Sequence, residues 1–204
     1  MEYQGLTTDD LANVRALNRA WLALGMPRTK EPLPLSLQRQ RRLASAPFLL
    51  FSFQEQDARL WQRMLEPGAQ RDLFRQPSAS GGLRNLQATG LAFLWELTRR
   101  NPYAARVVCG APLQWCEQLA AATLVRVHEC ARSCDLAGWR FPVGSPINRR
   151  LLIHGSSAVR EPRIAAQVAA LQSLLTTAPT PHYGRLQAAA CRVPGVSRRI
   201  TDQV

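Results

Sequence analysis

Residues 148–163 read NRRLLIHGSSAVREPR, and they gather the side chains best suited to meet an anion. Arg149, Arg150, Arg160 and Arg163 supply permanent charge on forked donors, His154 supplies a titratable one, and Ser156 and Ser157 supply hydroxyls after Gly155. Pro162 marks the first turn of a following helix, where its fixed φ and missing N–H do no harm. A helix start exposes backbone N–H groups and the positive end of the dipole, so a Gly-Ser-Ser turn ahead of one can hold a phosphate or a carboxylate. A plainer reading stays open beside it, in which Ser156 or Ser157 is an ordinary cap and the arginines are solvated charges. Residues 78–84 repeat the arrangement in weaker form.

A second cationic patch, Arg39, Arg41 and Arg42, lies in the stretch SLQRQRR, which reads as a short polar helix starting at Ser36. Its arginines are either a solvated face or contacts to phosphate.

Other chemistries are poorly supplied. The three histidines (His128, His154, His182) and fourteen scattered carboxylates form no paired acid and base, and the zinc-protease, phosphate-loop and dinucleotide-binding patterns are absent. His154-Gly155-Ser156-Ser157 lacks the G-x-S-x-G elbow of a nucleophilic serine, so no catalytic residue and no cofactor are assigned. Cys116, Cys130 and Cys134 share one face of a continuous helix and spread along about 27 Å of it at ~1.5 Å per residue, a poor geometry for a structural zinc site. No metal is therefore expected, and buried cysteine acting as a small hydrophobe accounts for these residues.

The net charge is +12 over 204 residues, carried by Lys30 and 25 arginines against 14 acidic residues. Such an excess points to nucleic acid, an acidic protein or an anionic surface as partner, because net charge governs association rather than fold. A chain rich in Arg, Ala, Leu and Pro and poor in Lys also follows from a GC-rich coding sequence without any selection for binding. An odd count of five cysteines and an N-terminus (MEYQGLTTDD) without a basic or apolar targeting segment lead to an expected location in a reducing cytoplasm. No apolar run approaches the ~18 residues of a membrane span, so no membrane is expected among the partners.

These residues have to be positioned by helices. Thr7 or Thr8 with Asp9 and Asp10 starts the first, which carries Leu11, Val14, Leu17, Trp21 and Leu22 on one face and stops at Gly25. A linker over 26–34 holds three prolines. Residues 48–53 (FLLFSF) are an apolar run whose length favours a strand, although nothing obvious pairs with it. Helices follow over about 55–66 and about 83–101. In the second of these Gly90, disfavoured by roughly 1 kcal/mol against Ala, implies close approach of another backbone. Asn101-Pro102 reads as cap and first residue of a short helix.

Residues 111–135 carry the longest helical pattern, with Leu113, Cys116, Leu119, Ala120, Thr123, Leu124, Val127, Cys130, Ala131 and Cys134 on one stripe. This is the expected central helix, with Leu119 and Leu124 equally in the core. Trp139 to Pro146 is an irregular connection, 147–153 is of undecided type, and a last helix over about 161–176 has Ile164, Val168, Leu171 and Leu175 at 4-3-4 spacing.

The expected fold is all-α, a single irregular bundle of five to seven helices over 1–177 with room for one short strand near 48–53, followed by a weakly ordered basic tail over 178–204. The expected function is that of a non-catalytic accessory or regulatory protein binding an anionic partner, nucleic acid first. A protein-interaction subunit and a small enzyme with a site near His154 are the alternatives. Nothing in the sequence indicates an oligomeric state.

Overall fold

A computed structural model of the chain describes residues 5–25, 35–66 and 81–176. In order these form α1 (Thr8–Ala23), α2 (Leu37–Leu43), β1 (Phe51–Ser52), α3 (Ala58–Leu65), α4 (Gly81–Arg100), α5 (Pro102–Cys109), α6 (Leu113–Ala121), α7 (Leu124–Ser133), β2 (Gly138–Trp139), α8 (Pro146–His154) and α9 (Arg160–Thr176). The described residues are mostly helical with one small sheet. The nine helices among the described residues exceed the expected five to seven, because 111–135 breaks and recaps into two helices and the undecided stretch 147–153 forms a further one. The linker over 26–34, the turn at 78–80 and the tail from 178 lie outside the described residues.

The clearest break falls in the stretch expected to be one central helix. At Ala122 the backbone turns extended, the Thr123 hydroxyl accepts from Arg126 N at 3.2 Å, and α7 restarts in a new direction. Trp95 Nε1 donates to the freed Ala122 carbonyl at 2.8 Å, which satisfies the group the break would otherwise orphan. Thr is a better cap than helix-interior residue, since its hydroxyl competes for backbone N–H groups. As a result Leu119 is fully buried while Leu124 is 46% exposed. The organising helix is α4 instead, which packs against α1, α5, α6 and α7. Gly90 on α4 is approached by a ring rather than a backbone: a Cβ there would lie 2.7 Å from Phe53 Cζ.

The segment 48–53 is held by buried polar side chains. Asn18 of α1 donates to the Phe48 carbonyl and accepts from Leu50 N, both at 2.9 Å. β1 finds its partner in the aromatic connection, pairing antiparallel with β2 in the register Phe51 to Trp139 and Ser52 to Gly138. Gln87 of α4 makes four bonds with the chain leaving α7, donating to the carbonyls of Ala131 and Cys134 and accepting from Leu136 N and Ala137 N. Around these clamps one apolar core forms, including Trp21, Phe48, Phe51, Phe53 and Trp61, all fully buried. A buried amide with every bond satisfied fixes one register, because any slip leaves it unpaired in an apolar surrounding.

Candidate functional site

The undecided stretch 147–153 is helix α8. Ser145 caps it by accepting from Asn148 N at 3.2 Å, and Pro146 occupies its first turn. Its inner side buries Leu151, Leu152 and Asn148, whose Oδ1 accepts from Trp139 Nε1 at 2.9 Å and so ties α8 to β2. Its outer side presents Arg149, Arg150, Ile153 and His154. Between that side and the first turns of α9 lies an open groove of about 740 Å³, lined by those four residues with Pro162 and Ala165, and by Gly144 and Pro146 at its end. Three of the sequence-predicted site residues thus share one groove.

One residue of the second basic patch, Arg39, reaches the end of α8. α2 starts at Ser36, which accepts from Arg39 N, and it carries Arg39, Arg41 and Arg42. Arg39 Nε donates to Ser156 Oγ at 3.0 Å and its Nη2 to the Leu152 carbonyl at 3.3 Å, across 117 and 113 residues of sequence. Arg41 and Arg149, Arg150 and Arg160 are exposed, Arg42 is half-buried, and none of these five forms an ion pair among the described residues.

The Gly-Ser-Ser turn has a different part from the arginines. Ser156 is buried, and its hydroxyl donates to the Leu152 carbonyl at 2.6 Å while accepting from Arg39, so it seats Arg39 on α8. Ser157 N donates to the His154 carbonyl at 2.9 Å, its hydroxyl accepts from Val159 N at 3.2 Å, and its carbonyl accepts from Arg163 Nη1 at 2.9 Å. Arg163 therefore holds the turn from within. Gly155 is required there, since a Cβ would collide with the Leu151 carbonyl oxygen. Arg160 stands exposed at the start of α9.

The sequence reading missed Ile153, Pro162 and Ala165 as lining, and the Asn148–Trp139 bond that positions the whole helix. A signal was present: Ser145-Pro146 is a cap followed by a first-turn proline, and reading 146–154 as a helix puts 146, 149, 150, 153 and 154 on one face.

The α9 face also differs from its spacing. Ala166, Gln167 and Ala170 are buried, with Gln167 donating to Ser45 Oγ at 3.3 Å, whereas Ile164 and Val168 of the 4-3-4 stripe are 43% and 46% exposed. Small residues let α9 approach the body closely, and that contact outweighs burial of the larger stripe.

Among the described residues His154 makes no hydrogen bond to a nucleophile or carboxylate, and no three His, Cys, Asp or Glu side chains gather as a metal site. Cys109, Cys116 and Cys130 are fully buried, and Cys130 Sγ donates to the Met64 carbonyl at 3.4 Å. No helix among the described residues is long and apolar enough to cross a membrane. No protein family, no characterised protein and no solved structure matches this chain.

Proposed function

We propose that this is a non-catalytic binding protein for an anionic macromolecule, acting through the face formed by α2, α8 and the start of α9. The observation that carries the reading is the seating of Arg39 on Leu152 and Ser156, which brings a second cationic segment, far away in sequence, against the end of α8. Arginine suits that surface, as its fork meets phosphate and carboxylate alike and its charge does not titrate. Nucleic acid is the partner that net charge favours, and an acidic protein surface satisfies the same face. A cytoplasmic location and an accessory or regulatory role are part of the proposal.

The test is fluorescence anisotropy with a mixed-sequence DNA duplex and a glutamate-rich peptide, each titrated over a range of salt. The pair Arg149→Glu/Arg150→Glu is compared with Arg41→Glu/Arg42→Glu. The proposal expects binding to at least one probe, weakened by both pairs, with a salt slope lower by about one unit per lost phosphate contact. Neither probe binding, or binding that survives both charge reversals, would reject it.

A further inference from the structure

The groove between α8 and α9 is not simply a positive patch. Along α8 the lining positions fall at i, i+3, i+4, i+7 and i+8, so Arg149, Arg150 and His154 run beside Pro146 and Ile153, with Pro162 and Ala165 opposite. Ile153, in the middle of the lining, is 47% exposed. Apolar surface gathered beside cations is what a partner with both characters would cover. Among the described residues the lining contains no carboxylate, which would repel an anion, Glu161 standing next to Pro162 but outside the lining, and it contains no aromatic ring on which a base could stack.

We infer that this groove takes an amphipathic acidic helix from a partner protein. Its carboxylates meet Arg149 and Arg150, and its apolar edge covers Ile153, Pro162 and Ala165. This deepens the reading of the α2–α8–α9 face as an anion-binding surface and rests on it. The mode is a helix laid into a groove, in which apolar anchors one turn apart supply affinity and flanking charges set orientation and association rate. Nucleic acid would engage the arginines through phosphate but would leave Ile153, Pro162 and Ala165 without a counterpart.

Three probes separate the possibilities on the full chain: a helical peptide with leucines at i, i+4 and i+7 flanked by glutamates, the same peptide with those leucines replaced by alanine, and a DNA duplex. The expected result is binding of the leucine peptide, loss of about tenfold or more in affinity for the alanine peptide, a similar loss with Ile153→Ser, and weaker binding of the duplex. Arg149→Glu/Arg150→Glu should abolish peptide binding, and thermal melts of both variants should match the parent because the altered side chains are exposed. If the alanine peptide or the duplex binds as well as the leucine peptide, or Ile153→Ser changes nothing, the groove reads charge alone and this inference falls while the anion-binding reading stands. If none of the three probes binds, both fall.

Discussion

Replacing Arg140 with methionine removes a guanidinium that joins β2 to three other stretches of chain while keeping an unbranched stem. In the parent, Nε donates to the Leu49 carbonyl at 2.7 Å, the two terminal nitrogens donate to the carbonyls of Cys109 and Phe51, and Nη2 meets Glu55 Oε1 at 3.1 Å. The Arg140 and Glu55 side chains are 5% and 2% exposed, so water cannot take over these bonds in place. Removing one partner of a buried pair costs about 3–5 kcal/mol, and each carbonyl left unpaired adds about 1–3 kcal/mol unless the chain relaxes around it. The lower figure for the pair plus one unrelieved carbonyl comes to about 4 kcal/mol.

With a urea dependence of about 2 kcal/mol per molar, that loss lowers the unfolding midpoint by about 2 M, read by far-ultraviolet circular dichroism. The double variant Arg140→Met/Glu55→Gln tests the cause. Its stability should exceed that of Arg140→Met by about 1 kcal/mol or more, because the stranded charge is gone. A midpoint within about 0.5 M of the parent, or a double variant no better than the single, would refute the account of this buried pair.

Three further outcomes follow from particular contacts. Leu119→Ala should cost about 2–5 kcal/mol and Leu124→Ala less than about 1, since the break at Ala122 leaves only the first in the core; equal shifts in thermal melts would restore the single long helix. Burial pushes the Asp10 carboxyl up, but the Thr7 N–H, the Arg100 guanidinium and the Thr7 hydroxyl outweigh it and hold the group below its ordinary range. A lowered folded value means stability that is present above the unfolded value of about 3.9 and lost as pH falls through the folded one, so the parent should lose more than Asp10→Asn below about pH 4; parallel acid titrations of stability would contradict this. Native alkylation followed by mass spectrometry should label half-buried Cys134 before Cys109, whose thiol is pushed well up by burial, with Cys116 and Glu55 adding to the effect. Labelling of Cys109 at the rate of Cys134 would show that the core opens there.

Legibility in the sequence followed the range of the interaction. Thr7 with Asp10, Ser36, and Asn101 with Pro102 each act within three residues of themselves, and each marks a helix start in the fold. The cationic residues of the face were legible as types, because exposed arginine is a local property. The meeting of Arg39 with Ser156 was not, since it forms only when the fold brings α2 beside the end of α8. The hydroxyl expected to face an anion became the seat for a cation instead, a role set by a neighbour that no local pattern carries.

What the sequence by itself determined is the helical character, the caps at Thr7, Ser36 and Asn101 and the excess of positive charge, all consequences of backbone preference and composition. Tertiary structure decided three other things: that 111–135 breaks where Trp95 can take the Ala122 carbonyl, that of the run 48–53 only Phe51 and Ser52 become strand, by pairing with 138–139, and that α9 buries alanines rather than its isoleucine and valine. In each case two local solutions compete, and the choice falls to a partner from elsewhere in the chain that satisfies a polar backbone group or permits closer packing.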